Sequence, residues 1–133
     1  MTTGTTMIPH SRPAIAQDEI DAVTDVLQSG RLAQGAVVER FERGLAAYLG
    51  VAGGVAVNSG TMALEVALRV LGIGPGDEVI LPSYVCSAPW QAVQRVGAHA
   101  RLVDIEPDTF QIDTGLARAA ITSKTRAIIV PHL

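Results

Sequence analysis

The run Val55-Ala56-Val57, followed by Asn58-Ser59-Gly60-Thr61, decides the fold interpretation of this chain. A short apolar stretch breaks at a polar turn that contains glycine, and apolar residues then recur at helical spacing up to Leu71. This change of period predicts a buried strand, a tight turn and a helix. Strand, turn and helix in this order form the repeating unit of parallel sheets.

The same alternation continues along the rest of the chain. Turn residues 72–77 lead into an apolar run that stops at Pro82, and two further apolar runs each follow a helical segment. Regular alternation predicts right-handed βαβ units, so we expect a three-layer α/β fold with a mainly parallel sheet. The predicted helices cover residues 18–28, 37–49, 62–71, 88–96 and a short stretch after Asp113; the predicted strands cover residues 55–57, 78–81, 100–104 and 127–130.

Composition argues against several classes of protein. The 133 residues carry a formal charge of −3, and acids and bases are mixed along the chain, so neither a nucleic-acid partner nor a membrane partner is expected. No apolar run reaches the roughly 18–20 residues of a membrane span. The single Cys86 cannot form an internal disulfide, which fits a reducing compartment, and we expect a cytoplasmic protein. Residues 1–9 are expected to form a flexible tail before a folded region at 10–133.

The turn before the third helix has the features of an anion site. The first backbone N–H groups of a helix lack partners within the helix, and the helix dipole is positive there. Gly60 permits close approach to the backbone, Thr61 offers a hydroxyl, and the N–H groups of Thr61 and Met62 are available to a ligand. Alternatively, Asn58 or Ser59 serves only as a helix N-cap. The local sequence leaves both interpretations open.

Motifs of several other sites are missing. The chain has no P-loop, and its Gly72-x-Gly74-x-Gly76 pattern precedes a strand, opposite to a dinucleotide-binding fingerprint. Ser83 and Ser87 lack the G-x-S-x-G context of serine hydrolases. No metal site is expected, because the histidines have no ligand spacing and the acidic run after the third strand is interpreted as a solvated loop. These residues are His10, His99, His132, Asp104, Glu106 and Asp108.

Five segments stand in one order along the chain. They are Ser29-Gly30-Arg31-Leu32-Ala33-Gln34-Gly35, Val38-Glu39-Arg40-Phe41-Glu42, Asn58-Ser59-Gly60-Thr61-Met62-Ala63-Leu64, Gly76-Asp77-Glu78-Val79-Ile80-Leu81-Pro82-Ser83-Tyr84 and Val103-Asp104-Ile105-Glu106-Pro107-Asp108. Together with residues 121–129, these segments resemble the DegT/DnrJ/EryC1/StrS family of sugar aminotransferases. One such segment would be weak evidence, whereas five in the correct order are specific.

The resemblance implies a pyridoxal-phosphate fold type I enzyme, of which residues 10–133 would be the incomplete N-terminal portion of the large domain. Members are homodimers that transfer an amino group, commonly from glutamate, to a keto group on a nucleotide-linked sugar. By the family's motif, Gly60, Thr61 and Met62 bind the phosphate of the cofactor, pyridoxal phosphate. Cys86 stands where the family has an aromatic residue that stacks on the cofactor ring, so either the chain belongs to a variant subgroup or Tyr84 or Trp90 takes part in the stacking. Alternatively, Cys86 is an ordinary small buried residue.

No catalytic residue is assigned in this chain. The resemblance places the Schiff-base lysine, and the aspartate that pairs with the pyridine nitrogen, after residue 130. Lys124 is the only lysine among ten basic residues and matches a solvated turn before a strand. We therefore expect the chain to be inactive alone. Aminotransferase and dehydratase chemistry both remain open, because the family distinguishes them at the Schiff-base lysine.

Two hypotheses of other classes compete with the enzyme portion. The first is a non-catalytic binding or dimerisation module derived from this fold. The second is a small Rossmann-like nucleotide binder, which the missing fingerprint and the lack of an acidic residue at the end of the second strand disfavour. Because an incomplete sheet exposes an edge and apolar helix faces, we also expect self-association into a homo-oligomer.

Overall fold

The computed structural model describes residues 11–132 of the chain. The predicted tail at residues 1–9, and His10, lie outside the described residues. The chain divides into two compact units, with the boundary in the sequence between Ala56 and Val57. One partial large domain over residues 10–133 stays a prediction.

The described part of the first unit, from residue 11 onward, contains two helices, α1 at Gln17–Ser29 and α2 at Ala36–Leu49. Each helix ends at a glycine in the left-handed region, Gly30 with φ of 66° and Gly50 with φ of 68°. Glycine adopts this conformation without the steric penalty of a Cβ atom and so terminates helices readily. The helices predicted at residues 18–28 and 37–49 are therefore confirmed, together with their glycine stop signals.

The strand predicted at residues 55–57 is wrong. These residues belong to no helix or strand, and Val55 is 81% exposed. A strand needs a neighbouring backbone for its hydrogen bonds. The Ala56 N–H instead donates to Oε1 of Glu42 at 2.7 Å, within the first unit. A short apolar run in a sequence does not reveal whether a neighbouring strand is present to pair with it.

The second unit alternates helices and strands as predicted. Its central strand, β1 (Glu78–Pro82), pairs in parallel with β2 (His99–Val103) on one side and with β3 (Thr125–Ile128) on the other, so the order is β2-β1-β3. The predicted parallel sheet is confirmed. The elements in chain order are α3 at Gly60–Val70, β1 at Glu78–Pro82, α4 at Ser87–Arg95, β2 at His99–Val103, α5 at Thr114–Ala119 and β3 at Thr125–Ile128.

The two faces of β1 pack against different helices. Val79 and Leu81 are fully buried in one cluster with residues of α3 and α4, including Leu68 and Val93. Ile80 points the opposite way, as the period of two in a strand requires, and is buried with Val103, Ile112 and α5 residues. The second unit is thus three layers thick, with the sheet between helices, in agreement with the predicted fold class.

Candidate functional site

The strands β1 and β2 end side by side, at what we call the carboxyl edge of the sheet. Beyond β1, the Ser83 N–H donates to the carbonyl oxygen of Val103 at 2.7 Å. The Ser83 hydroxyl donates to Oδ1 of Asp104 at 2.9 Å, and the Ile105 N–H donates to the same oxygen at 3.0 Å. The segments that follow the two strands are therefore joined. In parallel sheets, this edge is where ligands usually bind.

An aromatic pair stands next to this junction. The rings of Tyr84 and Phe110 lie 5.5 Å apart between centroids, tilted by 40°, and both remain at least half exposed. Phe110 has φ of 57°, in the left-handed region that bulky residues rarely adopt. Its own N–H donates to the Glu106 carbonyl at 2.9 Å, which holds the residue in this conformation.

The start of α3 combines a helix cap with open donors. Ser59 Oγ accepts from the Met62 N–H at 3.2 Å, so the N-cap interpretation is confirmed for Ser59. The N–H groups of Gly60 and Thr61 have no acceptor among residues 11–132. No acidic residue stands in the first turn, so no carboxylate neutralises the positive end of the dipole.

Space is also open at this turn. Apart from its two chain neighbours and the backbone of α3, no heavy atom lies within 4 Å of the position that a Cβ atom on Gly60 would take. Free donors, an unneutralised dipole and room at the backbone are the properties that a phosphate group requires. The prediction that the Met62 N–H is available to a ligand is wrong, because this group donates to Ser59 Oγ. The cap leaves the two N–H groups before it, so the N-cap and the anion site are compatible.

Helices α3 and α4 lie side by side with their carboxyl ends together. Nη2 of Arg69, near the end of α3, donates to the carbonyl of Arg95, the last residue of α4, at 3.3 Å. Five residues earlier in α3, Leu64 packs against the cluster that contains Val93. Since α4 starts just beyond β1, the start of α3 lies toward the carboxyl edge as well.

Cys86 is the N-cap residue of α4 and is exposed. The expectation of an ordinary buried cysteine is therefore wrong, because the side chain precedes the helix and lies outside the sheet layers. In residues 11–132, no hydrogen bond joins Cys86 to Gly60, Thr61 or Met62. The fold brings these residues to one end of the second unit, and their shared role in cofactor binding stays a prediction.

A buried carboxylate links α3 to α4. Oε1 of Glu65 accepts from Nε and Nη2 of Arg69 at 3.1 and 2.9 Å, and Oε2 lies 3.6 Å from Nη1 of Arg95. The hydrogen bonds from Arg69 lower the pKa of the Glu65 carboxyl, burial raises it, and the charges of both arginines lower it, with a net decrease. The Glu65–Arg69 spacing of four is a helix-pair signal in the sequence, whereas the contact with Arg95 needs the packed helices.

The opposite, amino edge of the sheet holds Lys124. The Lys124 carbonyl accepts from the Glu78 N–H, the first residue of β1, at 2.9 Å, and its side chain is exposed. The Glu78 carboxylate in turn accepts from the Thr122 hydroxyl at 2.8 Å and pairs with Arg101 at 3.7 Å. The predicted solvated turn at Lys124 is confirmed, and the length of β1 separates it from the carboxyl edge.

Other kinds of site find no support in the part of the chain that the structure describes. Within residues 11–132, no cluster of three potential metal-ligating side chains occurs. Asp104 is tied to Ser83, and Glu106 accepts from the Thr109 hydroxyl, so this acidic run is more structured than the predicted solvated loop. Across the same residues, every helix is too short or too polar to cross a membrane. Two open clefts, of about 470 and 640 Å³, lie in the first unit and include no predicted site residue.

Comparison with known proteins gives this geometry its context. The model of the DegT/DnrJ/EryC1/StrS aminotransferase family matches residues 13–133. The chain belongs to this family. SpsC of Bacillus subtilis (strain 168), a spore coat polysaccharide biosynthesis protein, is 42% identical over 94% of the chain and 32% of its own length. The dTDP-3-amino-3,4,6-trideoxy-alpha-D-glucose transaminase of Streptomyces venezuelae is 44% identical over 97% of the chain and 35% of its own length.

Solved structures of the family agree with the fold. Spr1654 from Streptococcus pneumoniae, in its PLP-form, matches with a TM-score of 0.86 and 45% identity over 91% of this chain and 31% of that one. NtdA from Bacillus subtilis, with bound cofactor PMP, matches with a TM-score of 0.81 and 39% identity over 87% of this chain and 28% of that one. The predicted family, the fold type and pyridoxal phosphate as the cofactor of the complete enzyme are thus supported. The chain spans about a third of the length of the curated relatives it matches.

Proposed function

We propose that this chain forms the phosphate-binding portion of a pyridoxal-phosphate-dependent aminotransferase that acts on a nucleotide-linked keto sugar. The observation that carries the proposal is the start of α3, where two N–H groups lack an acceptor in the described residues and no carboxylate stands in the first turn. In a member of this family, the anion that suits such a helix start is the phosphate of the cofactor.

Each residue of the turn has a separate role in binding that phosphate. The N–H groups of Gly60 and Thr61 donate to phosphate oxygens, and the Thr61 hydroxyl is a third donor. Ser59 keeps the first turn of α3 in place through the Met62 N–H. The dipole of the 11-residue helix adds attraction for the negative charge. When bound, the cofactor supplies the electron sink that amino transfer requires.

Cys86 contributes an apolar contact to the cofactor ring in this proposal. Its exposure at the N-cap of α4 leaves the thiol available to a ligand at the carboxyl edge. A thiol covers less of a pyridine ring than an aromatic side chain and stacks more weakly. We expect the phosphate turn to supply more of the cofactor affinity than Cys86 does.

Lys124 does not take part in amino transfer under this proposal. It is the only lysine of the chain, and it lies at the amino edge of the sheet, one strand length from Cys86 and the start of α3. A five-residue strand spans roughly 16 Å, which is longer than a lysine side chain. We therefore infer that the 133 residues do not complete the reaction by themselves.

The substrate and partners follow from the relatives. One curated relative is named as a transaminase of a dTDP-linked amino sugar, which favours amino transfer over dehydration and a nucleotide sugar with an amino donor as substrates. A homodimer in the cytoplasm is part of the proposal. The dimer, though not its location, is supported by the apolar residues of α1, of which Ile20, Val23 and Leu27 are at least half exposed. Light scattering that shows only monomer across a range of concentrations would count against the dimer.

A phosphate-dependence experiment tests the proposal. Titration of the chain with pyridoxal phosphate, and separately with pyridoxal, is followed by the fluorescence of Trp90, the single tryptophan. Because charge-assisted hydrogen bonds contribute about 1.5–3 kcal/mol, pyridoxal phosphate should bind at least about tenfold more tightly. Equal affinities would reject the phosphate site. Borohydride reduction followed by peptide mass mapping should find no cofactor on Lys124, and a labelled Lys124 would overturn its assignment.

A further inference from the structure

The connection between β1 and α4 carries Cys86 and is held at its first residue. Ser83 makes two hydrogen bonds to the neighbouring strand: its N–H donates to the Val103 carbonyl at 2.7 Å, and its hydroxyl donates to Oδ1 of Asp104 at 2.9 Å. Three residues later, Cys86 begins α4 as an N-cap that makes no side-chain cap bond. The position of Cys86 therefore depends on how firmly the chain is held at Ser83.

Asp104 is itself fixed by the loop that it begins. Its carbonyl accepts from the Asp113 N–H at 3.1 Å, and the backbone of Ile105 bridges that of Ile112 in an antiparallel sense. The Glu106 N–H donates to the Gln111 carbonyl at 2.9 Å, so the loop closes as a narrow hairpin. The Asp104 carboxylate, which receives both the Ser83 hydroxyl and the Ile105 N–H, is thus an anchored acceptor.

The same hairpin contacts the connection at a second point. Phe110, near its far end, has a positive φ of 57° and places its ring 5.5 Å from that of Tyr84. Tyr84 follows Ser83 directly, so two consecutive residues of the connection are held by one loop. An unfavourable backbone angle at a bulky residue persists only where its surroundings determine it.

We propose that Asp104 is a positioning residue that, through Ser83, holds residues 83–86 in the conformation in which Cys86 meets the cofactor. The inference rests on the proposed cofactor site and assigns a role to a carboxylate outside it. Tyr84 and Phe110 provide the second attachment. Loss of the Asp104 acceptor should loosen the connection without unfolding the sheet, because the backbone ladder between β1 and β2 does not involve this side chain.

Hydrogen exchange compares matched variants of the 133-residue chain. Asp104→Ala removes the acceptor, Asp104→Asn keeps an acceptor oxygen without the charge, and Asp108→Ala removes an equal charge from an exposed position in the same loop. Exchange of the Ser83 N–H, which donates to the Val103 carbonyl at 2.7 Å, should accelerate about threefold to tenfold in Asp104→Ala, because the neighbouring hydroxyl bond no longer helps to hold Ser83 in place. Asp104→Asn should restore most of the protection, and Asp108→Ala should match the parent chain. Equal exchange in Asp104→Ala and Asp108→Ala would overturn the proposal.

Cofactor affinity in the same variants tests the second half of the inference. By Trp90 fluorescence, pyridoxal phosphate should bind Asp104→Ala about threefold to tenfold more weakly than the parent chain and Asp108→Ala, whereas the urea midpoint should shift little. Unchanged affinity in Asp104→Ala, with exchange accelerated, would overturn the link to the cofactor. If the parent chain binds no pyridoxal phosphate, the proposed function fails, and the exchange comparison still decides whether Asp104 positions the connection.

Discussion

Helices α3 and α5 belong to the same unit, and each begins with a side chain that caps the first turn. At α5, Oδ1 of Asp113 accepts from the Leu116 N–H at 2.9 Å. At α3, the neutral Oγ of Ser59 accepts from the Met62 N–H at 3.2 Å. The first cap brings a negative charge to the positive end of its helix, and the second brings none. The chain thus neutralises one helix start by itself and leaves the other able to attract an anion.

The space beside the two helix starts also differs, and again α3 is the one that is open to a ligand. Beyond its own chain neighbours and helix backbone, the first residue of α3, Gly60, has open space, whereas a Cβ atom on Gly115, the second residue of α5, would lie 3.2 Å from the Asp113 carboxylate. A hydrogen-bonded cap serves stability in both helices. What distinguishes a binding turn from a structural one is therefore the charge of the cap and the space beside it.

The largest effect on affinity for pyridoxal phosphate is expected when the start of α3 receives a carboxylate, as the start of α5 already has in Asp113. Gly60→Asp places a carboxylate in the first turn, where no heavy atom outside the adjacent residues and the α3 backbone would obstruct its Cβ atom. The fold should gain about 0.3–1 kcal/mol from the dipole. The affinity for pyridoxal phosphate should fall at least about tenfold, because two like charges then share one turn.

Gly60→Asn is the matched control for this change. It has nearly the same shape without the charge, so it should lose less affinity for pyridoxal phosphate than Gly60→Asp. Calorimetry on both variants measures the affinities, and urea unfolding measures the stabilities. Equal losses in the two variants would show that space, and not charge, governs the turn.

A smaller effect is expected from removing each cap. Ser59→Ala and Asp113→Ala should each lower the free energy of unfolding by about 1 kcal/mol. Added pyridoxal phosphate should recover part of the loss in Ser59→Ala, since the freed Met62 N–H gains the phosphate as an acceptor. It should recover none in Asp113→Ala beyond the gain seen in the parent chain. Urea midpoints with and without pyridoxal phosphate test the difference, and equal recovery in both variants would contradict it.

The contribution of Glu65, in α3, to the free energy of unfolding should depend on pH. Because the folded pKa of Glu65 is lowered by Arg69, its contribution to stability is present above the unfolded pKa and is lost as the pH falls through the folded pKa. The parent chain should therefore lose more stability than Glu65→Gln between about pH 6 and pH 3. Parallel urea midpoints for the two proteins over this range would argue against the ion pair.

The smallest effect is expected at the amino edge. Lys124→Ala should change the free energy of unfolding by less than about 0.5 kcal/mol, because the exposed side chain makes no ion pair in residues 11–132 and its backbone bond to Glu78 remains. Its affinity for pyridoxal phosphate should equal that of the parent chain. A marked loss of affinity in calorimetry would place Lys124 in the site after all.

Much of the second unit could be predicted from the sequence, because there the local signals agree with the tertiary structure. The apolar run before Pro82 becomes the central strand β1, and Asp113 caps the helix that follows it. The run at residues 55–57 carries a similar local signal and forms no strand. Strand formation depends on a partner from elsewhere in the chain, and periodicity does not contain that information.

The features of the candidate site also fall into two groups: those that the sequence indicates and those that only the folded structure reveals. The turn at Gly60 is visible because glycine and hydroxyl residues at a helix start have a direct meaning in the sequence. The bond from Ser83 to Asp104 spans 21 residues, and the contact of Arg95 with Glu65 depends on how two helices pack. Pairs of this kind need the folded arrangement. The exposure of Cys86 was also hidden, since free cysteines are more often buried.

The order of strands in the sheet has a consequence for how the unit is made during synthesis. The central strand β1 leaves the ribosome first and has no neighbour until β2 follows, with β3 last. Among the three described strands, β1 can therefore pair with β2 before it pairs with β3, and each pairing is delayed until a crossover is complete. The hairpin that begins at Asp104 emerges between the two additions. The hairpin can thus hold the β1–α4 connection in place before β3 pairs with β1.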